Sequence, residues 1–412
     1  MLVTRIQKWQ KGIFFGWWVL VAVMIMQVLI AGIFFQSFGV YVPVLIEEFG
    51  WTATGISLAV SARQLLGVFT GPGVGFALDR FGSRRLIGIG LVLMGLGYFI
   101  FSGVQNFLFF VIVQLFLGFA ASMSGWLPNT KILVNWFAKR RTMALAFMGI
   151  GMSIGGLFTP LVAYFMELYG WRAVAVASGI IMFLGLALLP LLRSSPEAYG
   201  LEPEGSQELK KSRQNADADF TAQEAMRTRS FWLIAFGHGL ALVSVVSVMV
   251  HFVTHLSKGL GFSLQTAASM FALLTIMQIV GQLVSGFFGD YLSKRWLTVC
   301  GMMLHGTGIF ILAIGQTVPA IIIGSILHGL AWGLRGPLMS AIRADYFGRT
   351  HFGKIMGISD PIVIAGALIG PVIAGYSFDT SGTYEPGFIW ISISAFMGAA
   401  CFAFSTKPKK RF

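Results

Sequence analysis

Long apolar runs separated by short polar loops dominate this chain. A helix needs about 20 apolar residues to cross a hydrocarbon core of roughly 30 Å. On that basis the pattern predicts twelve spans, over residues 14–37, 52–74, 86–104, 107–128, 142–167, 173–192, 231–254, 266–288, 297–315, 319–341, 355–377 and 387–406. The stretch 193–230 is polar and poor in aromatic residues, so it predicts a linker with no core of its own. We therefore expect an all-α membrane protein, with six-helix bundles over 1–192 and 231–412 joined by that linker.

Basic residues fall in alternate loops. They precede span 1, follow spans 2, 4, 8 and 10, and occupy the linker and the C-terminus: Arg5, Lys8, Lys11, Arg80, Arg84, Arg85, Lys139, Arg140, Arg141, Lys210, Lys211, Arg213, Arg227, Arg229, Lys294, Arg295, Arg349, Lys354, Lys407, Lys409, Lys410 and Arg411. The other loops carry little more than Arg172 and Lys258. Because cytoplasmic loops are enriched in Lys and Arg, this alternation predicts a multi-pass protein of the cell (inner) membrane with both termini cytoplasmic.

Composition narrows the function classes. Only 11% of residues are charged, whereas a soluble domain carries about 25%. The net charge of +13 lies in short loops, which argues against a nucleic-acid footprint. Cys300 and Cys401 lie in apolar runs, which predicts neither a disulfide framework nor a metal site. With no phosphate-binding loop and no nucleophile–base set, we expect no enzyme activity, no cofactor and no catalytic residue.

The two halves repeat a loop motif. Between spans 2 and 3 the chain carries Gly75, Asp79, Arg80, Gly82, Arg84 and Arg85, and between spans 8 and 9 it carries Gly286, Asp290, Lys294 and Arg295. Spans 4 and 10 also share a proline followed by an aromatic–basic end. Parallel repeats of six helices are typical of transporters whose substrate site lies near the midplane, between the bundles.

The first of these loops reads GFALDRFGSRR, which resembles the signature of the major facilitator superfamily, and GFFGDYLSKR resembles its second copy. Further stretches resemble bacterial monocarboxylate and oxalate/formate-type organic-anion transporters: FFGWW, WFAKRRTMALAFMGIGMSIGG, YGWR, RTRSFW and ADYFGRTHFG. The resemblance implies two pseudo-symmetric bundles, a small-molecule substrate, and a loop motif that acts as a latch for the outward-facing state. The alternative for the loop is a glycine turn with charges that set topology and meet lipid headgroups. Two arginines common in these relatives are replaced here by Gln114 and Gln282.

Arg63 is the most informative single residue. It lies about 16 Å into span 2, where a charge is costly and normally has a function. It shares a helix face with Gly67, Gly71 and Gly75, so we expect that face to pack closely on another helix. Arg63 is either the partner of a substrate carboxylate or a structural cation bonded to helix-end carbonyls.

Span 10 places His328, Trp332 and Arg335 on one helix face. Imidazole suits proton coupling, and guanidinium suits carboxylate binding. Asp360 in span 11 lies at a similar depth to Arg335, which predicts an ion pair between them. That pair is either a proton-coupling switch or the mutual neutralisation of two buried charges.

Span 7 aligns Ser244, Ser247, His251 and His255, and we expect a wet face near the outer mouth rather than a metal site. Tyr41 in span 1, Asn129 at the end of span 4 and Gln282 in span 8 are further candidates for the substrate pocket, with ordinary packing as the alternative.

The whole pattern predicts a secondary transporter that moves a small, monocarboxylate-like organic anion together with a proton. No nucleic-acid partner is expected, and a monomer is sufficient. Two alternatives stay open: efflux of an amphipathic or neutral compound, and a membrane sensor that transports nothing.

Overall fold

The computed structural model describes residues 14–137, 140–204, 220–289, 291–348 and 351–409, apart from the side chains of Pro72, Arg141 and Thr142. Most of these residues are helical. Across the described ranges, β pairing is limited to an isolated bridge between Phe137 and Glu204. The predicted fold class, an all-α membrane protein, is confirmed.

The first half begins with α1, Gly16–Ile30, which a π-helical segment, Ala31–Gln36, joins to α2, Phe38–Phe49. Its remaining helices are α3, Ala53–Phe81; α4, Ser83–Ser102; α5, Phe107–Ser124; α6, Trp126–Trp136; α7, Arg141–Gly156; and α8, Thr159–Leu184.

A short helix, α9 (Ala222–Met226), precedes the second half. The long helices that follow are α10, Arg229–Thr254; α11, Leu264–Phe288; α12, Lys294–Ile314; α13, Val318–Phe347; α14, Phe352–Ser381; and α15, Glu385–Phe404. A second π-helical segment, His255–Gly259, extends α10.

Ten helices within the described ranges are long and apolar enough to span a membrane. They differ from the twelve predicted spans at two places. Helix α3 is rich in glycine and polar residues and is not among the ten, although its 29 residues exceed the length of a membrane crossing. Spans 5 and 6 fall within one continuous apolar segment, Met143–Leu188, which turns at Gly170, where φ is +79° and only glycine is unstrained. With α3 included and that segment divided, the helices give twelve crossings.

Side-chain caps define where several helices begin. The side chains of Thr52, Asn106, Thr228 and Ser263 each accept a hydrogen bond from a backbone N–H in the first turn of α3, α5, α10 and α11. These bonds satisfy donors that would otherwise have no partner at the helix start. The polar residues that interrupt the apolar runs therefore also set the helix boundaries.

Alternation of helix direction gives the molecule two sides. We call the side with the chain ends, near Gly16 and Phe404, the termini side, and the side with the α2–α3 and α14–α15 turns the far side. Helices α1 to α8 pack mainly on one another, as do α10 to α15. The two halves meet where α3 contacts α14, α2 contacts α10, and α11 contacts α7 and α8.

Polar contacts between the halves concentrate on the far side. The Asp379 carboxylate accepts hydrogen bonds from the backbone N–H groups of Ala53 (2.9 Å) and Thr54 (2.7 Å), at the N-terminus of α3. Lys258 forms an ion pair with Glu47, and Glu167 accepts a bond from the N–H of Gln265. A carboxylate at a helix N-terminus is favourable because it opposes the positive end of the helix dipole. The far side is therefore closed by charge-assisted contacts.

Toward the termini side the same helices separate. A Cβ added at Gly67, Gly71 or Gly75 of α3, or at Gly353 or Gly357 of α14, would meet no atom within 4 Å. The expectation that the glycine face of span 2 packs closely on another helix is therefore wrong in this conformation. The face borders open space, because α3 and α14 meet only toward their far-side ends.

Candidate substrate pathway

Arg63 lies buried in the first half, with 3% of its surface exposed. Its Nη1 donates to Oε1 of Gln114 on α5 at 3.0 Å. Gly118, one turn further along α5, leaves room for the arginine stem, since a Cβ there would lie 2.5 Å from Cγ of Arg63. The charged side chain of α3 is thus seated on α5 at a position where a larger residue would displace it.

Aromatic rings of the first span surround the same guanidinium. Its Cζ lies 4.3 Å from the ring centre of Phe34 and 5.0 Å from that of Phe38, and Phe35 is 6.0 Å away. Such cation–π contacts attract a cation without cancelling its charge. Nε of Arg63 is buried with no partner, and no carboxylate of the described chain forms an ion pair with it. Among the residues that the structure describes, Arg63 is therefore surrounded by neutral groups.

The π-helical segment carries the rings of Phe34 and Phe35 and also buries Gln36, whose amide nitrogen and oxygen both lack a hydrogen-bond partner in the described chain. Short π segments occur often at functional sites. Sequence reasoning missed Gln36, since the change from α to π geometry leaves no signal in the hydrophobic period.

Arg335 is the corresponding cation of the second half, on α13. It is 2% exposed, its Nε is buried without a partner, and it forms neither a hydrogen bond nor an ion pair with any residue the structure describes. Its Cβ lies against α12, 3.4 Å from where a Cβ at Gly301 would stand. A buried guanidinium with no counter-ion is costly and is therefore well suited to receive an anion.

The predicted ion pair between Arg335 and Asp360 is wrong. Asp360 is only partly buried, and the cation that acts on it is Arg343, two helical turns beyond Arg335 toward the termini side. Arg343 is itself 2% exposed and bonds to Nδ1 of His238 (3.3 Å) and to the carbonyl of Met339 (3.0 Å). Sequence reasoning missed Arg343 because it lies near the helix end, where a basic residue also fits the topology rule.

His328 and Trp332 lie in the same half. The His328 ring meets His305 of α12, with the two Nδ1 atoms 3.1 Å apart, and its centre is 6.4 Å from the Trp332 ring. Both histidines are fully buried. His305 was not among the sequence candidates, since nothing in its own apolar run distinguishes it.

The prediction of a wet outer face on span 7 is wrong. Ser244, Ser247 and His251 are fully buried, and His255 is 2% exposed. His251 joins the two halves: its Nε2 lies 2.7 Å from Oγ of Ser57 and 3.0 Å from the Pro371 carbonyl, and its Nδ1 is 3.1 Å from the Tyr384 hydroxyl. The face is dry because α3 and α14 close over it.

The other pocket candidates have structural contacts. Gln282 accepts a hydrogen bond from Ser153 of the first half at 3.1 Å. Asn129 Nδ2 donates to the carbonyls of Ser124 and Gly125, both at 2.7 Å, where the α5–α6 break leaves them free. Tyr41 packs against Phe38 and Phe101. Of these three, Gln282 lies at the boundary between the bundles.

The residues of the two loop motifs make the contacts named here within their own halves. Asp79 pairs with Lys131 at 2.5 Å, and Lys294 pairs with Asp345 at 2.6 Å. Arg295 donates to the Ala403 carbonyl, and Arg80 lies 5.7 Å from the ring centre of Phe81. Asp290 lies outside the described residues. None of the hydrogen bonds and ion pairs just named joins these groups to the other half, so a latch that closes the termini side would be released in this conformation.

Three further motif features concern local geometry. Gly82 has φ of +79° and makes the α3–α4 turn. Arg84 and Arg85 line a groove of about 540 Å³ between α4 and the segment after α8, walled by aliphatic side chains. A Cβ at Gly286, as at Gly75, would meet open space.

Comparison with known proteins finds similarity in both sequence and architecture. Residues 24–257 and 234–412 match the profile of the Major Facilitator Superfamily. Monocarboxylate transporter 13 of Bos taurus is 26% identical over 91% of this chain and 85% of its own length. Putative glycerol-3-phosphate transporter 1 of Arabidopsis thaliana is 24% identical over 88% of this chain and 77% of its own. A bacterial homologue of the human lysosomal transporter Spinster, crystallised inward-facing and occupied, has a TM-score of 0.71, 14% identity, and coverage of 94% and 96%.

Proposed function

The chain belongs to the Major Facilitator Superfamily, and from that premise we propose that it carries a small organic anion, of the monocarboxylate kind, across the membrane by alternating access. The observation that carries this proposal is a pair of buried arginines that have no counter-ion among the described residues, Arg63 in the first half and Arg335 in the second. A substrate carboxylate would bring one negative charge and two oxygens, which one arginine or both together can bind. A neutral substrate would leave both charges uncompensated.

The relatives support an anionic cargo. One is named for monocarboxylates and the other for glycerol-3-phosphate, and each of these compounds carries an acidic group that guanidinium binds well. Glycerol-3-phosphate is the second candidate substrate class. Phosphate carries more charge than carboxylate, so it would favour simultaneous contact with both arginines.

The open termini side and the closed far side support the proposal of alternating access. With both termini cytoplasmic in the inner membrane, as the loop charges predict, this conformation faces inward. Conversion to the outward-facing form would break the Asp379 contacts at the N-terminus of α3 and bring the glycine faces of α3 and α14 together. The loop motif would then act as the latch on the closed termini side.

A proton is the proposed coupling ion. Asp360 and His328 are the candidates from the sequence, and Asp360 lies near Arg343. A proton that travels with a monocarboxylate keeps the transported pair neutral, so the membrane potential would not oppose uptake.

Purified protein in proteoliposomes would test the substrate class. Labelled lactate, pyruvate, formate, oxalate and glycerol-3-phosphate are offered with and without an imposed pH gradient. Gradient-driven uptake of one or more monocarboxylates is the expected result. Uptake of glycerol-3-phosphate alone would replace the substrate class by the second candidate, and uptake of none of the five would contradict the proposal and favour efflux of an amphipathic compound.

A further inference from the structure

His305 and His328 form a closed pair between α12 and α13. Their Nδ1 atoms are 3.1 Å apart, their ring centres are 4.6 Å apart, and the rings meet edge to face at 65°. Neither residue has any exposed surface. The backbones approach closely here, since a Cβ at Gly308 would lie 2.8 Å from the backbone nitrogen of His328. The tight packing holds the two rings at hydrogen-bond distance.

The outer nitrogens of this pair are unsatisfied. A bond between two Nδ1 atoms requires one ring to donate and the other to accept. The donor ring then has a bare Nε2 and the acceptor ring has an Nε2–H, and both Nε2 atoms are buried without a partner. His251 differs, because both of its ring nitrogens have partners. A histidine pair kept only for packing would gain from such partners, so the unmet capacity points to a functional role.

Arg335 is the charged group that acts on both rings. It lies seven residues after His328 on α13, about 10 Å along the helix axis. While its guanidinium has no counter-ion, its field opposes a second positive charge on the pair. An anion bound at Arg335 would cancel that field and make protonation of the pair easier.

Among the described residues, the other helices packed around the pair add no charged group that acts on it. Helix α11 packs on α13 at Gly333 through Gln278, and α15 packs on α12 at Gly306 through Phe396. On α10, His238 bonds to Arg343, and His255 bonds to the Leu312 carbonyl. Burial of both rings does not change when an anion binds, so among the described charged groups Arg335 is the one whose compensation would change the field at the pair.

We propose that His305 and His328 together hold the transported proton, and that an anion bound at Arg335 enables them to take it up. This inference rests on the proposed function and assigns its coupling site. The proton comes from water and adds to the pair, which becomes an imidazolium hydrogen-bonded to an imidazole. It leaves when the anion leaves, so no other bond forms or breaks.

Calorimetry in buffers of different ionisation enthalpy tests this directly. The purified full-length chain is titrated with the transported acid at mildly acidic pH, and the buffer dependence of the heat gives the protons taken up. We expect the wild type to take up roughly one proton per anion, the stoichiometry of one shared site. His305→Gln and His328→Gln should bind the anion and take up none. His255→Gln, a buried histidine outside the pair, should behave as the wild type.

The outcomes separate the two proposals. Anion binding by the wild type without proton uptake, or unchanged uptake in both pair variants, would overturn the coupling site and leave the proposed function intact. No binding of any acid by the wild type would overturn both. If the variants fail to fold, ¹⁵N-histidine NMR of the wild type replaces them. Addition of the anion at fixed pH should produce an imidazolium signal that the six histidines do not give without it. Absence of that new signal would contradict the inference.

Discussion

The guanidinium of Arg63 donates to the side-chain oxygen of Gln114 at 3.0 Å. In the transporters that this sequence resembles, an arginine commonly occupies the position of Gln114. Here the cation next to that position comes from α3 instead of α5, and Gln114 orients it. The charge on this side of the pathway is therefore relocated rather than lost.

If the cation has moved from α5 to α3, exchanging the side chains at Arg63 and Gln114 should have a predictable effect on uptake. Arg63→Gln should lower uptake at least about tenfold, since it removes a charge-assisted hydrogen bond to the substrate. The double variant Arg63→Gln/Gln114→Arg should recover part of that loss, because it returns a cation to the same contact from the other helix. Initial uptake rates at matched protein amounts measure both. A double variant as inactive as Arg63→Gln would contradict relocation.

Gly118 provides a second test of the position of Arg63, because the arginine side chain occupies the space that this glycine leaves on α5. Gly118→Ala places a Cβ 2.5 Å from Cγ and 3.1 Å from the carbonyl oxygen of Arg63, so it should displace the side chain and lower uptake. Gly103→Ala is the matched control, because its Cβ would meet only an ordinary contact at 3.5 Å. Equal uptake by Gly118→Ala and Gly103→Ala would show that transport does not need the space that Gly118 leaves for the Arg63 side chain.

The glycine faces of α3 and α14 should meet in the other conformation. Ala53 lies opposite Asp379, and Ser57 lies opposite Gly375. Continued along two antiparallel helices, this register places Gly75 near Gly357. Disulfide formation in a Gly75→Cys/Gly357→Cys variant should therefore abolish uptake, and reduction should restore it. A Gly75→Cys single variant controls for the substitution, and uptake that persists in the cross-linked protein would contradict the closure.

Asp379 should hold the far side shut. Asp379→Asn removes the charge that opposes the helix dipole of α3 while keeping its shape, so the far side should open more often. The readout is labelling of a Ser57→Cys variant by a membrane-impermeant thiol reagent added from the far side, which should become faster in the Asp379→Asn background. Glu385→Gln, a nearby acid at the start of α15, is the control. An unchanged labelling rate would show that the Asp379 contacts do not close this side.

The helical fold followed from the hydrophobic period, and the contacts of single residues mostly did not. The span count agreed only after two adjustments: α3 was included although it is not among the ten apolar helices, and Gly170 was seen to divide one long apolar segment. The turn at Gly170 is permitted by its positive φ and is not revealed by hydropathy. The expectation for Asp360 was wrong because depth along a helix does not give the direction of a side chain. His305 and Gln36 were missed because one depends on a partner 23 residues away and the other on π geometry. The prediction that the glycine face of α3 packs closely on another helix was wrong in this conformation. A transporter sequence has to suit both conformations, whereas the structure describes one of them.

Binding of the substrate anion by Arg63 and Arg335, one in each half, is the step on which the proposed function depends. Initial uptake of the transported acid by Arg63→Gln, Arg335→Gln and Arg172→Gln tests it most directly, because Arg172 is already neutralised by Glu48 at 2.5 Å. We expect uptake to fall at least about tenfold in each of the first two variants and to stay near the wild-type rate in the third. Wild-type uptake by Arg63→Gln and Arg335→Gln would contradict it.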